Sequence, residues 1–358
     1  MQRLLQQSVI RAPFNIRPFL GIPPLECTKA RGYMALGYIL THRRTKDATC
    51  RDRALLCLDW LRQNPSPGSR QYGWGNHYHF TTRSGKIPRF VPTIVWTSLI
   101  GQAFVEAYET WSDPAHLEIA TSVCNWILDL PREKTDSGTC LSYISLNQSS
   151  IHNSNMLGAA LLARVGTLIN RNELVDVARE AIEYSCSRQN PDGSWFYGEA
   201  PKYHWIDNFH TGYNLDSLKG YIEATGDDSF KPHLRNGYRF FVQNFLESSG
   251  CPRYYHNKTY PIDIQCAAQA IDTLALFSDD DPKALALAEK VATWTIDHMQ
   301  DKDGYFYYRN FGWAFNRTPL LHWGQATMFK ALAHLLLKSQ SVPSAQTGSQ
   351  GLQPAELP

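Results

Sequence analysis

Asn153-Ser-Asn-Met-Leu-Gly-Ala-Ala-Leu-Leu-Ala163 opens with three polar residues and is then apolar on nearly every side. Such a stretch reads as a helix buried most of the way round. Four others open in a similar way: Thr93-Ile-Val-Trp-Thr-Ser-Leu, His210-Thr-Gly-Tyr-Asn-Leu-Asp, Asp263-Ile-Gln-Cys-Ala-Ala-Gln and His322-Trp-Gly-Gln-Ala-Thr-Met. A weaker sixth copy begins near Tyr33, and successive starts fall 53 to 60 residues apart. One period kept along most of a chain marks a repeat architecture.

A second helix type lies between these stretches, at 47–63, 114–129, 172–188, 231–247 and 283–299, with Trp60, Trp126, Tyr184, Phe241 and Trp294 near the ends. Its apolar residues recur at three and four, as in Ala288, Val291, Ala292 and Ile296, which leaves one face wet. Each repeat is therefore a hairpin of an inner and an outer helix. Six hairpins close into an all-α (α/α)6 toroid, expected as one domain over 1–338. Six inner and five outer helices are countable, and a short twelfth from residues 2–10 is expected to close the ring by joining the chain's two ends. Residues 339–358, rich in Ser, Gln, Gly and Pro, are expected to be a disordered tail.

Inner-to-outer links are short (41–46, 110–113, 167–171, 226–230 and 278–282), whereas outer-to-inner links are long (64–90, 130–150, 189–208, 248–260 and 300–320). The long links thus share one face, where the inner helices also begin. Loops on a rigid scaffold are the usual place for binding and catalysis.

With 358 residues, 43% hydrophobic and 19% charged, the chain is globular in composition. Its net charge of +2 gives no footprint for nucleic acid or an anionic membrane. No apolar run suits a membrane span or a signal-peptide core, and Arg11, Pro13 and Arg17 interrupt the N-terminal stretch. Eight singly spaced cysteines suit reduced thiols in a cytoplasmic protein. No cofactor is indicated.

The aromatic share of 12% concentrates in the long links beside carboxylates, histidines and arginines, a mixture that suits a sugar chain. Flat CH faces stack on Trp and Tyr while hydroxyls take directional hydrogen bonds. Trp74, His77, His152, Asn153, Trp195, Glu199, Trp205, Tyr255, His256, Arg317, His322, Trp323 and Gln325 are the candidate substrate-binding residues, and Arg83 stands in the first long link. Asn153, His210, Asp263 and His322 are expected at equivalent first-turn points, though Asn and Asp also favour such places as helix caps. Asp192 and Asp303, each before a Gly, read as turn formers. The His204-x2-Asp207-x2-His210 spacing puts its side chains on no single helical face, so no metal site is expected.

Asp207, Asp263 and Glu199 are the acid/base candidates. Glycoside hydrolysis needs two carboxyl groups facing across the bond. Asp207 and Asp263, from neighbouring hairpins, could meet that condition. A lyase or epimerase acting on a uronic acid needs instead a base such as Tyr or His and a group that neutralises the carboxylate, roles open to Tyr213, His210, His256 and Arg317.

The stretches DGSWFYGE (192–199), HWIDNFHTGYNLDSL (204–218), YYHNKTYPIDIQCAAQAIDTL (254–274), MQDKDGYFYYR (299–309) and RTPLLHWGQATMFKALAHLL (317–336) resemble a family of bacterial proteins encoded with polysaccharide-biosynthesis genes. That family is similar to the six-hairpin glycosidase superfamily. The resemblance spans 190–338 strongly and the first half weakly, and implies a protein acting on an oligo- or polysaccharide, as a glycosidase, a uronate-acting lyase or epimerase, or a non-catalytic glycan binder. The Gln189-Asn-Pro-Asp-Gly-Ser-Trp195 turn also resembles terpene-cyclase repeats. Their protonating Asp-x-Asp-Asp motif has its nearest counterpart in Ser278-Asp-Asp-Asp-Pro282, in a short link on the wrong face.

Overall fold

The computed structural model describes residues 2–12, 14–82 and 85–340. The described residues form twelve α-helices: α1 (Gln2–Arg11), α2 (Thr28–Thr45), α3 (Ala48–Gln63), α4 (Ile94–Trp111), α5 (Pro114–Leu128), α6 (His152–Leu168), α7 (Asn172–Cys186), α8 (Asn208–Thr225), α9 (Lys231–Phe245), α10 (Ile264–Leu276), α11 (Ala284–Met299) and α12 (Ala326–Ser339). The even-numbered helices from α2 form the inner ring of an (α/α)6 toroid and the odd-numbered ones from α3 to α11 its outer ring. Among the described residues, short strands in and beside the long loops pair as antiparallel ribbons. Among the described residues no helix is long and apolar enough to cross a membrane. Ser339 closes α12, so the expected tail starts at the end of a helix; its residues 341–358, like Arg83, lie outside the described residues.

The N-terminal helix exists, but not as a sixth outer helix. It packs against the first long loop, where Thr81 N–H donates to Gln6 Oε1 at 3.0 Å, and Asn316 Nδ2 of the last loop donates to the carbonyls of Ile10 and Ala12. It joins the two ends of the chain across the loop face. The inner ring is closed by α12 lying directly on α2, with the Phe329 ring edge-on to Tyr38 at 4.8 Å and against Gly37, where a Cβ would stand 2.5 Å from that ring.

Each inner helix turns one stripe to the axis. Counting from the first helical residue, positions two, six, nine and thirteen hold Lys29 and Tyr33 on α2, Tyr213 and Asp216 on α8, Gln265, Gln269 and Asp272 on α10, Glu106 on α4 and Arg164 on α6. That is the i, i+4, i+7, i+11 face of a helix. Helices α2 and α8 stand opposite in a ring of six, and Tyr33 and Tyr213 meet across it, hydroxyl to hydroxyl, at 2.9 Å. Below this bridge the axis is filled by paired charges. Arg164 reaches Glu106 at 2.7 Å and Glu109 at 2.5 Å, Arg43 reaches Glu106 at 2.5 Å, and Asp272 holds Lys330 and His334. Burial and the charge of Asp272 push the Asp216 carboxyl up to about 7, while Gln269 and Thr273 donate to its two oxygens.

The loops are tied to the ring by its own unsatisfied backbone. The first N–H groups of α4, α6, α8 and α10 have no partner inside their helices. Each donates to the carbonyl of a tyrosine in the following long loop: Ile94 to Tyr143, His152 to Tyr197, Asn208 to Tyr254 and Ile264 to Tyr308, at 2.9–3.1 Å. Two tryptophans serve the other helix ends. Trp74 Nε1 donates to the Leu61 carbonyl in the last turn of α3 at 3.0 Å, and Trp195 Nε1 to the Ser185 carbonyl in the last turn of α7 at 2.8 Å. Both are buried, so Trp74, expected as a sugar platform, is a scaffold plug between Tyr72 and Phe104.

Truncating such a plug removes a large buried ring and orphans a carbonyl. Trp74→Ala should lower stability in urea unfolding by about 3–5 kcal/mol, whereas Trp313→Ala, at a side chain 87% exposed, should change it by less than about 0.5 kcal/mol.

Candidate functional site

Above the Tyr33–Tyr213 bridge the axis opens toward the long loops, and the polar groups there differ from those below. They are buried without partners. Among the described residues, Asn153 Oδ1, Asn214 Oδ1, both side-chain polar atoms of Asn208, Ser98 Oγ and His322 Nε2 find no hydrogen bond. Buried polar atoms are nearly always paired, and each exception asks for an explanation. Asn153 and Asn214 line one cleft together with Trp195, Phe196, Tyr197, Trp205, Asp207, His210 and Thr211. Its aromatic wall is the stack of Tyr197 on Trp205, with centroids 4.4 Å apart and planes within 15°. Between these side chains the cleft narrows below the width of a water molecule.

Asp207 and His210 form the chemical centre of this cleft. Asp207 has extended backbone and precedes α8, so its Oδ1 accepts the His210 N–H at 3.0 Å as a helix cap. Its Oδ2 accepts Trp205 Nε1 at 2.8 Å and pairs with His210 Nδ1 at 2.7 Å. A carboxylate on Nδ1 fixes the tautomer with its proton there, which leaves the Nε2 lone pair as the basic atom. Asp263 is also a cap: its Oδ1 accepts the Gln265 N–H at 2.8 Å, and its Oδ2 is bound by Arg309, its neighbour across the pairing of the strands Ile262–Asp263 and Arg309–Asn310. The two aspartates expected to face each other across a bond are each committed to a helix end and to a cationic or N–H partner. Tyr254 stands near both, its phenol raised well above the ordinary value by burial and then by Asp207.

The other expected site residues divide by the direction they face. Tyr213 forms the floor, its hydroxyl bonded to Tyr33 and to Gln265 Nε2 at 3.1 Å; burial pushes that phenol up, so it stays protonated. His322 and Trp323 flank the axis, the His322 ring 5.5 Å from Trp96 and 4.4 Å from Trp323. His152 turns outward: its ring nitrogens are taken by Glu199 at 2.8 Å and Ser185 at 3.2 Å. Glu199, held below the ordinary carboxylate range chiefly by that hydrogen bond, also pairs with Arg188. His77 packs between Trp60 of α3 and Phe90, and His256 against Phe240 of α9. Gln325 clamps both backbone groups of Phe306, and Arg317 is exposed, over the Tyr307 ring. Tyr255 lies on Tyr254 and under Lys258. His204 stacks on Phe196 and binds the Glu199 carbonyl, so it is not brought to Asp207 and His210.

His322 and Asp263 do not occupy equivalent points with Asn153 and His210. Asp263 precedes its helix, Asn153 and His210 are second and third in theirs, and His322 lies in the π-turn Leu321–Gln325 before α12. Asn214 also lines the cleft, and Tyr33, Gln265 and Lys29 gather around the Tyr213 floor; the sequence reading did not select them. Lys29 is the second residue of α2, equivalent to Asn153 on α6 and Gln265 on α10. Its signal was position, in the weakest of the six repeats.

No protein-family model matches the chain, and no curated protein matches its sequence. Solved structures match in fold. A cellobiose 2-epimerase from Bacillus thermoamylovorans has a TM-score of 0.66 at 10% identity, covering 87% of each chain. An alpha-mannanase from Bacteroides thetaiotaomicron has a TM-score of 0.63 at 12% identity, covering 87% of this chain and 86% of its own. An unsaturated glucuronyl hydrolase specific for heparin has a TM-score of 0.62 at 13% identity, over 87% and 86%. At such identities the likeness is one of fold alone, an (α/α)6 toroid.

Burial, then the charge of Lys29, pushes the His322 imidazole down to about 3. The unfolded chain, with a histidine near 6.5, therefore binds one more proton between these values. Stability should fall as pH drops below 6.5, by up to about 1.4 kcal/mol per pH unit from this residue. His322→Gln should flatten the slope of unfolding free energy against pH between 6.5 and 4.5; an unchanged slope would place the histidine in solvent.

Proposed function

We propose that the protein binds an oligo- or polysaccharide in the axial cup and moves a proton on it, with His210 Nε2 as the base and Asp207 as the residue that orients it. The observation that carries this reading is the Asp207–His210 pair lining the same cleft as the orphaned oxygens of Asn153 and Asn214. Sugar hydroxyls would supply the hydrogen bonds that these oxygens lack, and the Tyr197–Trp205 stack offers an apolar wall for CH faces. Entry of a sugar requires that stack to part.

The occupied state of Asp207 and Asp263 favours proton transfer over hydrolysis, which needs one carboxyl group as an acid and a second as base or nucleophile. A base that removes a proton from a carbon beside a carbonyl or carboxylate leaves a stabilised anion. Return of a proton to the opposite face gives an epimer; departure of a group from the next carbon gives a lyase product. Like-folded structures include a cellobiose 2-epimerase and a D-mannose isomerase besides alpha-mannanases, so the scaffold is compatible with such chemistry. The sequence resemblance supports a role in cell-surface polysaccharide biosynthesis, and eight cysteines free of disulfide bonds support a cytoplasmic setting.

Incubation with reducing and acidic oligosaccharides in D2O tests this directly. Deuterium should enter the sugar at one carbon-bound position, and His210→Gln should slow that exchange by roughly 10²–10⁴-fold, with Asp207→Asn also impaired and both variants still folded. New reducing ends without carbon deuteration would establish hydrolysis instead, and glycan binding with neither signal would leave a binding protein.

A further inference from the structure

Lys29 is the one feature of the cup that a neutral sugar does not explain. Its side chain is buried, with the residue 4% exposed, and its ammonium lies 5.6 Å from the Tyr33 ring centroid and 5.9 Å from that of Tyr213, on the upper side of the tyrosine bridge. Four other cations of the inner ring and its rim are matched: Arg43 and Arg164 by Glu106, Lys330 by Asp272, Arg309 by Asp263. Among the described residues Lys29 has no carboxylate partner. Its electrostatic neighbours are the Cys27 thiol and the neutral His322, whose Nε2 is itself orphaned. Two tyrosine faces attract a cation but replace little of its lost hydration.

We propose that the ligand of the cup is an acidic sugar whose carboxylate is held by Lys29. This rests on reading the cup as a sugar site and names the class of sugar. The inner helices turn their N-terminal, positive dipole ends toward the cup, which favours an anion there. A single ammonium with neutral donors around it suits a monoanionic carboxylate. A phosphate dianion calls for an arginine fork or several charges, and Arg309 is already bound by Asp263. Tyr213 ties the two halves of the proposal together. Its ring has Lys29 5.9 Å away and the His210 ring 6.5 Å away. When His210 takes the proton from the carbon beside that carboxylate, the C–H electron pair moves into the carboxylate as an enediolate, whose added charge Lys29 offsets.

Calorimetric titration with paired sugars tests the assignment: oligogalacturonates against neutral galacto-oligosaccharides of equal length, and galactose 1-phosphate as the phosphate probe. Oligogalacturonates should bind at least tenfold more tightly than the neutral set, and Lys29→Met should remove that preference. Lys29→Met should also melt at or above the wild-type temperature, because it deletes an unpaired buried charge; Lys29→Gln serves as the second variant if it does not. Equal affinity for acidic and neutral sugars, unaffected by either variant, overturns the carboxylate assignment and leaves the sugar site standing. Tighter binding of galactose 1-phosphate overturns it in favour of a phosphosugar. Failure of every sugar to bind overturns the sugar reading itself.

Discussion

The first N–H group of an inner helix has nothing to bond within its own helix, and the toroid directs six such helix ends toward one face. At α4, α6, α8 and α10 the solution is the same: the next long loop folds back and gives the carbonyl of a tyrosine, Tyr143, Tyr197, Tyr254 or Tyr308. This exchange fixes where each loop crosses the rim. It sets Tyr197 against Trp205 and His210, and Tyr254 between the neighbourhoods of Asp207 and Asp263. The site is thus a by-product of satisfying backbone, built wherever a loop must return to a helix end.

The axis divides into two halves with opposite electrostatics. Below Tyr33 and Tyr213, Arg43, Arg164 and Lys330 are paired with carboxylates, and Asp216 is held by the neutral donors Gln269 and Thr273. Above them, asparagine oxygens and a histidine nitrogen are buried without hydrogen bonds, and a buried lysine has no carboxylate partner among the described residues. Orphaned groups cost stability when nothing fills them, and ligand contacts would offset that cost here.

The repeat made the fold legible before any coordinate: a period near 57 residues with short links on one side and long links on the other leaves few alternatives to a closed ring of hairpins. The site was only half legible, because loop composition does not say which way a side chain turns. Trp74, His77, His256 and Arg317 share the chemistry of a sugar cup yet pack into the core, against outer helices or at the surface. Asp207 and Asp263 are extended residues that cap their helices, a place that also puts them at the rim. Lys29 escaped notice because the first repeat is the least regular, and only the count of residues from the start of α2 aligns it with Asn153 and Gln265.

The central claim is that the ligand sits on the axis, against the first turns of the inner helices. Amide hydrogen exchange followed by mass spectrometry, with and without oligogalacturonates, reads this location directly. Protection should appear in peptides covering residues 28–33, 152–156 and 208–214, while the outer helices α5 and α11 stay unchanged. Protection confined to the outer helices, or to the exposed surface around α1, would contradict an axial site.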